Sequence, residues 1–79
     1  MTPDLLRAIG ESLYGAYWIG PLADALDINP RTIQRWALGL YAPSPHAAPG
    51  LLVDMRKLLV ARVRDLERVV ALVDRAKLP

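Results

Sequence analysis

Residues 19 to 36 read Ile19-Gly20-Pro21-Leu22-Ala23-Asp24-Ala25-Leu26-Asp27-Ile28-Asn29-Pro30-Arg31-Thr32-Ile33-Gln34-Arg35-Trp36, and this one stretch contains two proline-led helix starts. Gly20-Pro21 puts proline in the first turn of a helix, where its missing N–H leaves no hydrogen bond unmade. Asn29-Pro30 repeats the device with a stronger cap, because the asparagine side chain accepts from the free N–H groups of the first turn. Leu22, Ala23 and Leu26 then predict a short helix over Pro21–Leu26 with one buried face, and Asp27-Ile28-Asn29 favours a turn. A following helix is predicted from Pro30 to Leu38, anchored inward by Ile33 and Trp36 and stopped by Gly39. Arg31, Thr32, Gln34 and Arg35 fall on its outer side. Two helices are thus joined by a tight turn.

Working outward, Thr2-Pro3-Asp4 carries a capping hydroxyl, a first-turn proline and an acid near the positive helix end, so a helix is expected from there to about Tyr14. Leu5, Leu6, Ile9 and Leu13 give it an apolar face, Arg7, Glu11 and Ser12 a solvated one, and Gly15 a stop. Tyr17 and Trp18, in the connection to the next helix, are expected to close a small core. Gly39 to Gly50 holds Pro43, Pro45 and Pro49, which predicts an extended linker, taken as residues 41–50. Beyond Gly50 no proline or glycine occurs before Pro79, so a single long helix is expected from Leu51 to about Lys77. It bears two apolar stripes: Leu59, Val63, Leu66, Val70 and Val73 at coiled-coil spacing, and Leu51, Leu58, Ala61, Val69, Leu72 and Ala76 beside them. The fold class expected is all-α: one domain over residues 1–79, with a three-helix core (1–40), the linker and a long helix (51–79).

The chain has 79 residues and no cysteine, so no disulfide or thiolate metal site supplements a core of this size. Its apolar fraction of 53% is high, yet no run is long enough for a membrane span, and the surplus is expected to be buried between subunits. Part of the long helix is therefore expected to pack on the first three helices. The remainder should meet a second copy through Leu59, Val63, Leu66, Val69, Val70 and Val73. The start of the chain lacks a basic segment followed by an apolar one, which predicts a cytoplasmic location. Net charge is +2, with three arginines against four acids in residues 1–50 and seven basic against four acidic groups in residues 51–79. That asymmetry points mildly towards nucleic acid.

The Ile19–Trp36 segment resembles the helix-turn-helix of phage-type, lambda-repressor-like regulators. The likeness covers Ala23, at the position where a small residue lets the helices cross closely, and the apolar Leu22, Leu26, Ile28, Ile33 and Trp36 around the turn. Asp27 stands where that family most often has glycine, a departure that a residue tolerant of left-handed backbone can absorb. The resemblance implies a prokaryotic, DNA-associated regulator, of the kind found in phages and mobile elements and including repressors encoded beside anti-CRISPR genes. It also implies a homodimer on an inverted-repeat operator, with residues 30–38 in the major groove.

Long planar donors and amides suit base edges, so Arg31, Gln34 and Arg35 are the candidate base-reading residues. Asn29 and Thr32 are candidates for phosphate contact or capping, as are Gly20, at a helix start, and Arg56 and Lys57, on the long helix, for phosphate. Trp36, Tyr17 and Trp18 are expected to pack rather than stack on bases, and His46, alone in the linker, has no partner for a metal site. Asp65 with Arg68 and Asp74 with Lys77 have the spacing of surface ion pairs. No nucleophile, acid–base dyad or phosphate loop emerges, so neither catalysis, a cofactor nor a small-molecule ligand is expected. Two other functions fit the same layout: a DNA-packaging protein like phage terminase small subunits, which form rings, and a helical protein-interaction module that has lost DNA contact.

Overall fold

Thr2 caps the first helix as its sequence requires: its Oγ1 accepts from the Leu5 N–H at 3.1 Å, with Pro3 in the first turn. In this computed structural model, which describes residues 1–76, helix α1 runs over Pro3–Tyr14. It ends where Gly15 takes φ 78°, a left-handed value that glycine adopts without Cβ strain. A single 3-10 turn, Gly15–Tyr17, leads into α2 (Ile19–Leu26); α3 (Pro30–Ala37) and α4 (Ala48–Arg75) follow. The described residues are all-helical, with no strand among them. The expected end of α4 at Lys77, and the Asp74–Lys77 ion pair, lie outside the described residues.

The turn between α2 and α3 has the geometry its residues predict. Asp27 sits at φ 54°, ψ 48°, and the Ile28 N–H reaches back to the Ala23 carbonyl at 2.9 Å, a Schellman-type closure that satisfies the end of α2. Asn29 then caps α3 through its Oδ1, which accepts from the Arg31 N–H at 2.9 Å. Left-handed backbone costs an ordinary L residue about 1–2 kcal/mol, and aspartate somewhat less. Asp27→Gly should therefore stabilise the fold by about 0.5–1 kcal/mol, the relief of strain exceeding the extra chain entropy that glycine loses. A higher thermal midpoint would bear this out, whereas an unchanged or lower one would show that the aspartate side chain itself holds the turn.

The core is built from Leu6, Ile9, Trp18, Leu22, Ala23, Ile33 and Met55, one or two residues from each helix plus the connecting tryptophan. Leu22, Ala23 and Ile33 have no exposed surface, so α2 and α3 meet through the residues expected to join them. Leu13, Leu26, Ile28 and Trp36 pack half-buried against this centre. Gly10 is buried too, for a reason of space: a Cβ there would overlap Cε3 and Cδ2 of the Trp18 ring and lie 2.9 Å from its Cγ. The absence of a side chain lets α1 accept the indole against its backbone.

Three expectations need correcting. Tyr17 does not pack: it is 91% exposed, because the 3-10 turn points Trp18 inward and its neighbour out. Helix α2 starts at Ile19, two residues before Pro21, since proline fits anywhere in the first turn. The linker is shorter than its prolines suggest. Ser44 accepts the Ala47 N–H at both its carbonyl and its Oγ, and α4 begins at Ala48 with Pro49 in its first turn. Ser44-Pro45 is a further copy of the cap-plus-proline pattern seen at Thr2-Pro3 and Asn29-Pro30.

Helix α4 divides into two halves. Its N-terminal part packs on α1 and α2, with Met55 fully buried and Leu51, Leu52, Leu58 and Leu59 around it. The two apolar stripes therefore converge here on one intramolecular contact. From Ala61 to Ala76 every residue is exposed. This half projects from the bundle, which explains a radius of gyration of 15.3 Å where a compact chain of this length would have about 12 Å.

Candidate nucleic-acid interface

With Ile33 turned into the core, helical geometry decides what α3 shows to solvent. At 3.6 residues per turn Arg31, Gln34 and Arg35 fall within an arc of about 100°, opposite Ile33 and Trp36. All three are exposed, while Thr32 and Ala37 at the two flanks, and Trp36 beside Ile33, lie half-buried. Their backbone is fixed at both ends. Asn29 and Pro30 hold the first turn, and Gly39, at φ 74°, closes the last with the Leu40 N–H bonded to the Arg35 carbonyl at 3.0 Å. The outcome is a short rigid helix whose polar side presents two guanidinium groups and one amide.

Neither Arg31 nor Arg35 takes part in an ion pair among the described residues; the ion pairs there join Asp65 to Arg62 and Arg68. Their donors are not committed to a carboxylate. The Arg35 guanidinium instead lies over the Tyr41 ring, 5.8 Å from its centroid, an exposed cation–π contact worth about 0.5–1 kcal/mol. That is enough to bias a rotamer and too little to hold the group away from a stronger ligand. Sequence spacing gives no sign of this pairing, because Tyr41 belongs to the linker and only the turn at Gly39 brings it back beside α3.

The other candidates lie apart from this face. Asn29, exposed, spends its side-chain oxygen on the helix cap. Gly20 lies in the first turn of α2, which has no capping side chain, so the N–H groups of Ile19 and Gly20 are without helical partners. Arg56 and Lys57 are exposed on α4, a helix that packs on α1 and α2. Of the expected subunit-contact residues, Leu59 is half-buried against the intramolecular core, whereas Val63, Leu66, Val69, Val70 and Val73 are exposed.

A cleft of about 220 Å³ lies between the N-terminal residues Met1–Pro3 and the segment from Trp36 to Pro43, smaller than the roughly 300–1,000 Å³ of typical ligand pockets. Among the described residues no group of three His, Asp or Glu side chains could hold a metal ion. No helix among them is long and apolar enough to cross a membrane. Comparison with protein-family models, with curated proteins and with solved structures gives no match.

Proposed function

We propose that this chain is a sequence-specific DNA-binding transcriptional regulator, a repressor or autorepressor that acts as a homodimer with α3 in the major groove of an inverted-repeat operator. The observation that carries this reading is the pairing of α2 and α3 through a three-residue turn with Arg31, Gln34 and Arg35 all on the free side of α3. In helix-turn-helix proteins it is the second of two such helices that lies in the major groove, with its outward side chains toward the base edges. Arg31 and Arg35 are assigned to guanine O6 and N7, and Gln34 to adenine N6 and N7. Asn29, Thr32 and the N–H groups near Gly20 are assigned to phosphates beside the groove, and Arg56 and Lys57 to phosphates further along. The protein works without catalysis, cofactor or small-molecule effector, in the cytoplasm of a prokaryotic cell, and belongs with regulators of phages or mobile elements.

Two kinds of variant separate base reading from phosphate contact. Selection of bound duplexes from a random pool by the unaltered protein, by Gln34→Ala or Arg35→Ala, and by Arg56→Ala tests the assignment. The first two variants should lose preference at one position per half-site, by about 5–150-fold, corresponding to roughly 1–3 kcal/mol per bidentate pair. Arg56→Ala should weaken binding to all sequences about equally and flatten the salt dependence. The opposite pattern would mean that α3 does not face the bases.

A further inference from the structure

The exposed half of α4, Ala61 to Arg75, is about 22 Å of helix in which every residue is exposed. A lone helix of this length is marginal in water. Val63, Leu66, Val70 and Val73 recur along it at coiled-coil spacing, each 49–59% exposed. With Val63 and Val70 at a positions and Leu66 and Val73 at d, Arg62 falls at g, and Glu67 and Asp74 fall at e.

The charges flanking this seam discriminate between the two ways a second copy can lie on it. In a parallel, in-register pair a g residue meets the e residue five positions further along the other chain, so Arg62 faces Glu67 of the partner subunit, twice by symmetry. In an antiparallel pair e faces e, which sets Glu67 against Glu67 of the partner subunit. Both groups are available: Asp65 is already bonded to Arg68 at 2.9 Å, leaving Arg62 only a 4.0 Å approach to it, and Glu67 has no ion pair among the described residues. In the first heptad β-branched Val63 at a with Leu66 at d also favours two parallel strands; Val73, at the second d position, does not add to that preference.

We infer that a second copy of the chain packs on residues 61–76 as a parallel, in-register coiled coil, with both helical bundles at the same end. This rests on the homodimer proposed above and adds its orientation. The pairs from Arg62 to Glu67 of the partner subunit select the parallel arrangement.

The chain has no cysteine, so Val63→Cys and Val73→Cys introduce single thiols. Under mild oxidation each variant alone should form a disulfide-linked dimer, since both residues face their own copies. Crosslinking only when the two variants are mixed would overturn the inference, because in an antiparallel pair Val63 faces Val73 of the partner subunit. A monomer by sedimentation at tens of micromolar would remove the homodimer itself. Self-crosslinking in a protein that binds no duplex would uphold the parallel coil and remove the DNA reading instead. Arg62→Glu should weaken the dimer about tenfold, and Arg62→Glu with Glu67→Arg should restore it; additive weakening in the double variant would contradict the pairing.

Discussion

Alanine at Gly10 is expected to destabilise the chain by about 2 kcal/mol, although alanine is the better helix former by about 1 kcal/mol. Magnitudes decide the sign. The added Cβ would overlap the Trp18 ring, and overpacking of a filled core costs about 1–3 kcal/mol, with the upper end or beyond expected where a whole indole must move. Trp18 is only 5% exposed and belongs to the core, so its displacement also opens the contacts among Leu6, Ile9 and Leu22. For a chain whose total stability is of order 4–12 kcal/mol, 2 kcal/mol is a large fraction. The thermal midpoint should fall by roughly 10 °C. Gly20→Ala is the control, because a Cβ there meets nothing within 4 Å and its midpoint should not fall. If both variants behave alike, the close approach of α1 to Trp18 is not what holds the bundle.

Aspartate at Val70 should act on assembly and leave the bundle intact. Val70 is 59% exposed and far from the core, and exposed substitutions of this kind change monomer stability by about 0.5 kcal/mol or less. In the proposed dimer it lies in the seam, where each copy would bury an unpaired carboxylate. At about 1–3 kcal/mol for each of two groups, the dissociation constant should rise by roughly 30-fold to 10⁴-fold. A lone helix of this length frays, so helicity by circular dichroism should drop together with mass. Operator affinity should fall as well, since residues 1–50 carry no net positive charge and one bundle makes few phosphate contacts. Light scattering gives the direct reading. An unchanged dimer would place the interface elsewhere, and a mass of eight or more subunits would favour the ring-forming packaging role.

How much of the fold is legible in the residues depends on how local the physics is. Caps and stops are local, which is why Thr2-Pro3, Gly15, Asp27, Asn29-Pro30 and Gly39 mark helix ends that the structure bears out. Ser44-Pro45 carries the same local signal, but Pro49 masks it, because a proline in a first turn looks like a linker proline until the helix behind it is known. Packing across helices is not local. Gly10 reads as an indifferent helix glycine, and its purpose emerges only when Trp18 folds back on α1. Met55 lies between the two apolar stripes of α4 and belongs to neither, yet it is the residue that α4 buries most completely.

The candidate site is legible to a similar degree. Arg31, Gln34 and Arg35 are bound to share a face by their spacing alone once α3 is assigned, and the structure brings them together. The position of Tyr41 under Arg35 is not legible, since it depends on a chain reversal after Gly39. Equally hidden is the point along α4 at which intramolecular packing ends. A continuous seam from Leu59 to Val73 does not show where one role gives way to another, whereas the last half-buried residue of α4, Val60, marks it.

Titration of a fluorescent duplex with the unaltered protein tests the central proposal most directly. The duplex is taken from the region upstream of its own gene and carries an inverted repeat, and a scrambled duplex of equal length serves as the reference. Measurements span about 50–200 mM salt. The proposed function predicts binding to the repeat at least about 10³-fold tighter than to the scrambled sequence. It also predicts a steep loss of affinity as salt rises and a loss of discrimination in Arg35→Ala. Equal weak binding to both duplexes, or none at the lowest salt, would contradict it.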